Sequence, residues 1–580
     1  MRTQTTGIPH RRTGEAAVYL VLTAVSLVAN FLHCASFGFY EDDWYYITKA
    51  WLARPGRWFA DMWGAMRGFY LGRPVQECLL WTCGYLGSAF HSVGLLYVLA
   101  ALLHAASVLV FFRVLRMRYT AFLAALGALL FAISPLSTIR PYLDGTLWAA
   151  PGLMFLFAAI LVYARRRYAG ASYPLAILSL LTYEPLFFVF FAAPLFRRGR
   201  KTWRQRAIHV AICSLILVAY LVVRRQASES RLMTATAETP LHVAGEVLLF
   251  AVYSAFMSFR SYVYAVFLAV RETSLESLVW GLVLAAAAVA SLLRLPSAGM
   301  RRTARIASPR TRWWFARVLA PGFGMILLGY ALSYFSNGHR LFYPLAGRDT
   351  RFSLAAIPGS SLVVAGMLWY PLAICRRRWT RLLVGAGAAA FCLLILLYSF
   401  VIQEDYRREW RHMGQLYPEI MQLTPDAGTD TLLVIRRRWL EDITLFPAGA
   451  RRPSINFQVH GLQLGFSRLF EDYHGPNVFV VYGDQWRSHL GLHADGKLYW
   501  TDPDFGGSQP DVATPVERII LLVEQPDGTL KREDAPFSVE GRQLIQARAP
   551  GTDWPSKWSG LRRSRLWPVV FPQSSGLRRN

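Results

Sequence analysis

A polytopic α-helical membrane domain followed by a soluble α+β domain rich in strands is the fold class this sequence predicts, on three observations. Apolar side chains fill 54% of the 580 positions and mean hydropathy is +0.29, well to the apolar side of a soluble chain. Apolar runs approaching the roughly 20 residues a crossing needs recur through about the first 400 positions. From about Gln403 the pattern changes to charged, Pro/Gly-punctuated sequence with short β-branched runs. The predicted division is a membrane domain over 1–402 and a soluble domain over 403–580.

Taken in order, the predicted crossings are Ala16 to Ser36, Ser92 to Phe112, Tyr119 to Ser134 and Thr146 to Tyr163. Next comes an apolar stretch from Tyr173 to Phe196, interrupted by Tyr183-Glu184-Pro185 and flanked by basic residues at both ends. Those flanks predict a hairpin of two short helices, with a single span kinked at Pro185 as the alternative. Ala207 to Val223, Leu275 to Leu293, Val318 to Phe335, Phe352 to Ile374 and Leu382 to Ile402 complete about eleven crossings. Leu241 to Val270 is apolar and aromatic but carries Glu246 and Arg260, a composition that predicts a helix lying in the outer interface.

Charge orients the chain. The turns 1–15, 113–118, 165–167, 197–206, 294–317 and 376–381 hold 26 basic residues and one acid, whereas the alternate loops hold 14 basic and 12 acidic residues. The positive-inside rule makes the first set cytoplasmic. The N-terminus is then inside and the long tail outside, as in a multi-pass bacterial inner-membrane protein with a periplasmic domain. The net charge of +26 therefore reports topology. Nucleic-acid binding is excluded as its cause, because the basic residues punctuate hydrophobic spans and form no single patch.

The first apolar segment follows Arg11 and Arg12 without a convincing small-residue cleavage site, which predicts an uncleaved signal anchor. All six cysteines fall in or beside apolar stretches, a poor pattern for a disulfide framework or zinc cluster. In the tail, Glu404 to Met421 is expected to be helical, and Leu432 to Ile435, Val478 to Tyr482 and Ile519 to Val523 to be strands. Asp495-Gly496 and Asp527-Gly528 are placed as hairpin turns.

The chemistry is expected just beyond the first span, in Phe39-Tyr40-Glu41-Asp42-Asp43-Trp44. Carboxylates at a water-lipid boundary are costly and are usually kept there for a site. One of them can act as a general base toward an acceptor hydroxyl. A neighbour can position the acceptor, raise the first group's proton affinity by like-charge repulsion, or hold a divalent cation such as Mg or Mn through Asp43 and Glu41. Trp44 and its neighbours can grip a sugar face, although Trp and Tyr also populate any interfacial belt.

Four motifs in order along a polytopic chain carry a resemblance: Asp42-Asp43, Gly72-Arg73-Pro74, Tyr183-Glu184-Pro185 and Gly347-Arg348-Asp349-Thr350-Arg351-Phe352. Over roughly the first 400 residues the chain resembles the membrane-embedded GT-C glycosyltransferases, which include protein O-mannosyltransferases and bacterial aminoarabinose lipid A transferases. The resemblance implies transfer of a sugar from a polyprenyl-phosphate donor to an extracytoplasmic glycan, lipid or protein acceptor, next to membrane lipids. Asp42 would then be the base and Asp43 its assistant.

Arg340, Arg348 and Arg351 precede a span on the outer side, where guanidinium forks can hold the donor phosphate and stabilise the charge growing on it; the plainer reading is snorkelling to headgroups. Arg73 can hold the acidic loop in place or cap the interface. Arg140 and Asp144, four residues apart, are expected to pair with each other. Glu184 must be exposed or paired with an arginine. Two other classes compete: a transporter or lipid-sugar flippase, which the Glu184-Pro185 break favours, and a non-catalytic envelope assembly protein acting through its tail.

Overall fold

The computed structural model describes residues 9–40, 43–67, 72–197, 203–226, 240–293, 314–332, 347–375, 377–424, 427 and 431–437. In the tail it describes 477–482, 490–492, 497–500, 514–515, 519–525, 529–533, 537–539, 542–544 and 566. Among these the chain is mostly helical. Eight helices are long and apolar enough to cross a membrane: Glu15–Ser36, Val93–Arg116, Leu143–Ala164, Trp203–Gln226, Gly245–Glu272, Leu275–Leu292, Thr350–Ile374 and Arg378–Leu423. Ala121–Ala132, Ala169–Thr182 and Phe315–Tyr330 are shorter apolar helices.

The apolar stretch broken at Tyr183 forms two short helices, Ser172–Thr182 and Glu184–Phe190. Tyr183 is extended (φ −159°, ψ 113°) and Pro185 follows at the start of the second helix, where its missing N–H costs nothing. One expectation departs from the structure. Leu241 to Val270 lies within a helix of 33 residues, Pro240–Glu272, about 50 Å long at 1.5 Å per residue. Its aromatic face packs on other helices: Phe259 lies 5.9 Å from Phe323 and Tyr262 stacks at 6.2 Å on Phe391, while Ser258 shares a 2.8 Å hydrogen bond with the Tyr330 hydroxyl. Several of the aromatics that read as an interfacial belt thus pack on other helices, while Phe256 stays exposed.

Two compact units cut the chain across its sequence order. The first comprises 1–35, 59–80 and 96–405; the second comprises 36–58, 81–95 and 406–580. In the first unit Leu143–Ala164 packs on Ser172–Thr182, and Ile357–Ile374 lies between Ala320–Tyr330 and Ala121–Ala132. Close approach of that trio depends on glycine. A Cβ on Gly359 would stand 2.5 Å from the Gly322 carbonyl oxygen, the small-residue contact that lets helix backbones touch.

In the second unit, the loop after the first apolar helix joins the tail's leading helical residues. The Tyr40 hydroxyl donates to the Tyr406 carbonyl at 2.9 Å, and its ring meets those of Tyr406 and Trp410. The tail strands are β1 (Leu432–Arg437), β2 (Asn477–Tyr482), β3 (Leu490–Leu492), β4 (Lys497–Trp500), β5 (Thr514–Pro515), β6 (Ile519–Glu524), β7 (Leu530–Glu533), β8 (Phe537–Val539) and β9 (Arg542–Leu544). One sheet has the order β2-β1-β6-β7, with β1 parallel to both neighbours and β6 antiparallel to β7. Central strand β1 buries Leu433, Val434 and Ile435 completely, as an unbroken apolar run in a parallel sheet should. Strand β3 pairs antiparallel with β4 and β6 with β7, while Asp495-Gly496 and Asp527-Gly528 lie outside the described residues. The expected helix over 404–421 exists as the end of Arg378–Leu423. None of the six cysteines is joined in a disulfide.

Candidate functional site

Three motifs scattered along the sequence meet in the first unit, and Glu184 is their centre. Its Oε2 accepts from Arg73 Nε at 2.8 Å, and its Oε1 accepts from Arg224 Nη1 at 2.7 Å and from the Tyr220 hydroxyl at 3.1 Å. Side-chain exposure is only 5% for Glu184, 13% for Arg73 and 11% for Arg224. One carboxylate therefore stands between two largely desolvated guanidiniums. Burial works against the charge on Arg73, and the adjacent Glu184 more than offsets it, so the guanidinium is held above its ordinary range. Its face also lies 4.8 Å over the Tyr183 ring, a cation–π contact. Its terminal nitrogens make no hydrogen bond among the described residues.

Backbone geometry builds the node. Gly72 has φ +70°, and its carbonyl lies 2.9 Å from the Tyr220 hydroxyl, whose single proton is shared between this oxygen and Glu184 Oε1. A Cβ there would lie 2.7 Å from Arg224 Nε. Arg73 can reach Glu184 because glycine turns the chain tightly beneath Arg224.

The Gly347-to-Phe352 motif joins the same unit. Gly347 (φ +87°) precedes the short helix Arg348–Ala356. The Thr350 hydroxyl donates to the Gly347 carbonyl at 2.8 Å and accepts from the Thr138 N–H at 3.0 Å, while Gly347 N–H donates to Thr138 Oγ1 at 2.9 Å. At its other end the Arg351 carbonyl accepts from the Tyr183 hydroxyl at 3.5 Å. Arg351 is half-buried with its guanidinium 5.5 Å from the Phe352 ring. Arg348 contributes backbone to this helix, its side chain lying outside the described residues, as does all of Arg340.

Arg140 departs from expectation. Among the described residues no salt bridge joins it to Asp144; its Nη1 donates to Asn30 Oδ1 and the Ser134 carbonyl, both at 3.2 Å, and its Nη2 donates to the Phe131 carbonyl at 3.1 Å. The i, i+4 rule that predicted the pair presumes a helix, and Arg140 sits in the turn before helix Leu143–Ala164. It is 8% exposed, and burial pushes its guanidinium down to about 10, with Tyr262 and Tyr398 pulling the other way.

In the acidic motif Glu41 and Asp42 lie outside the described residues. Asp43, in the second unit, is fully buried and begins helix Asp43–Leu52. Its carboxylate accepts from the Tyr40 N–H at 3.0 Å while its own N–H donates to the Tyr40 carbonyl at 2.8 Å, a reciprocal closure of the turn that also favours a negative charge at a helix start. Trp44 is likewise fully buried, between Phe39 at 5.5 Å and Tyr417 at 6.2 Å. Its ring is a core side chain and offers no open face to a sugar. No group of three His, Cys, Asp or Glu side chains gathers among the described residues.

Sequence reasoning found Arg73, Glu184 and the 347–352 segment but missed Tyr220 and Arg224. A signal was there: Arg224 and Arg225 end their predicted span on the side to which the charge pattern assigns few basic residues, with Tyr220 one turn earlier. Compared with family models, with curated proteins and with solved structures, the chain matches none.

Proposed function

We infer that this protein is a membrane-embedded transferase of GT-C type. It would move a sugar from a polyprenyl-phosphate carrier to an acceptor on the outer side of a bacterial inner membrane, with the N-terminus cytoplasmic and the tail periplasmic. One observation carries the reading: Gly72-Arg73, Tyr183-Glu184 and Gly347-to-Phe352, far apart in sequence, converge on a buried node in which two guanidiniums meet at one carboxylate. Such a node suits a phosphate leaving group, whose growing charge is stabilised by desolvated guanidiniums. Asp42 remains the proposed base, Asp43 fixes the turn that presents it, and Arg351 with Arg348 assists at the phosphate. A divalent cation at Glu41 and Asp43 is the optional partner.

The break between Ser172–Thr182 and Glu184–Phe190, with a charged residue at the junction, favours a second reading, a flippase for the same lipid. Both are tested in proteoliposomes holding the full chain and radiolabelled polyprenyl-phosphate sugars, with envelope extract as acceptor. Label passing to acceptor, and lost in Asp42→Asn, supports transfer. Label crossing the bilayer still attached to its lipid supports the flippase, and no movement of either kind overturns both.

A further inference from the structure

A second cationic centre lies in the first unit, apart from Glu184. Arg140 is buried, yet every hydrogen-bond acceptor it has among the described residues is neutral: one amide oxygen and two carbonyls near the end of helix Ala121–Ala132. Those carbonyls supply at most about half a charge. A buried guanidinium is ordinarily matched by a carboxylate, because an unmatched ion away from water is expensive. Arg140 also opens on a narrow cleft lined by Asn30, Ser134, Ser137, Thr138, Tyr398 and Ser399 among others. Ser137 is 3% exposed, and its hydroxyl makes no hydrogen bond among the described residues. The Ser134 hydroxyl accepts only a 3.4 Å bond from the Leu136 N–H, so its proton is free to donate.

A buried cation without an anion, beside buried hydroxyls with protons to give, describes a missing acceptor with several oxygens. We propose that this cleft binds a phosphate-class oxyanion, with Arg140 as the charged anchor and Ser137 and Ser134 as hydroxyl donors. Phosphate suits the set, since its several oxygens offer an acceptor to the guanidinium and to each of the two hydroxyls. Cleft and guanidinium sit at one end of several candidate spans: Asn30 closes the first, residues 134–141 follow a short apolar helix, and Tyr398 to Gln403 belong to the last. The phosphate can therefore come from a lipid headgroup or from solution. This proposal stands independently of the transferase reading, since none of these residues is assigned to the reaction.

The test uses the full chain in nanodiscs of pure phosphatidylcholine or of phosphatidylcholine with phosphatidylglycerol. Thermal unfolding is followed against inorganic phosphate, with chloride at matched ionic strength as control. A free-phosphate site gives a saturable rise in Tm in phosphatidylcholine. A headgroup site gives the rise with phosphatidylglycerol and little further response to phosphate. Either outcome supports the proposal if Ser137→Ala weakens the response about tenfold, the cost of one hydroxyl bond to a charged ligand, and Arg140→Gln abolishes it. Ser137→Ala removes a hydroxyl bonded to nothing described, so it decides the question by itself if Arg140→Gln fails to fold. No response to either phosphate source, or a response unchanged in Ser137→Ala, overturns the proposal.

Discussion

Glu184 is the residue on which the node's charge balance rests. Replacing it by Gln keeps the shape but removes the carboxylate that both Arg73 and Arg224 contact, in a place where little water screens them. Losing one partner of a buried ion pair typically costs about 3–5 kcal/mol, so Glu184→Gln is expected to unfold at markedly lower denaturant than the parent. Glu184→Asp, which keeps the charge and shortens the reach, should recover part of the loss. Equal midpoints for Gln and parent in a chemical denaturation series would contradict the pairing. Arg351 should behave differently, being half-buried beside Phe352. Arg351→Gln is expected to leave stability within about 0.5 kcal/mol and to raise KM for the lipid donor in the transfer assay.

At the scale of elements, the turn at Gly72 decides whether the node forms. An alanine there must adopt φ +70° and push its Cβ against Arg224 and Tyr220. Strain of this kind costs roughly 1–3 kcal/mol, and Gly72→Ala is expected to lower Tm and to lose the Arg224–Glu184 pairing together with activity. Combined with Glu184→Gln the losses should be less than additive, because both act on one network; strict additivity in a double-mutant cycle would show that they do not. Helix packing offers a separate check. Gly359→Leu sets a side chain where the Gly322 backbone already lies, and it should destabilise the first unit without altering the circular dichroism of the tail sheet.

For the whole molecule, the segment 36–58 after the first apolar helix and the tail belong to one compact unit. Cutting the chain after Asp405 removes Tyr406, Trp410 and Tyr417, which cover Tyr40 and Trp44. The truncated protein is expected to become protease-sensitive within 36–58. Unchanged protection there would show that the tail is dispensable for holding the acidic motif. Orientation is tested by cysteine labelling: a residue introduced in 294–317, which carries seven arginines and no acid, should react only from the cytoplasmic side.

Hydropathy, basic turns and strand-like runs were legible in the sequence because each depends on residues close together along the chain. Tail strands β1, β2 and β6 stand where β-branched runs placed them, and apolar helices occupy the long apolar stretches. Local pattern failed where a residue's partner lay far away. Phe259 and Tyr262 resembled part of a membrane belt and pack on other helices; Asp43 and Trp44 resembled an exposed site and proved to be buried; Arg140 and Asp144 resembled a pair, and Arg140 instead meets neutral acceptors. The sequence by itself determined what kind of medium each segment tolerates, since transfer free energy sums residue by residue. Only the tertiary structure decided which charges meet, Arg73 with Glu184 across 111 positions and Arg224 with Glu184 across 40. That choice rests on the packing of whole helices, which bring a buried carboxylate the partners its desolvation requires.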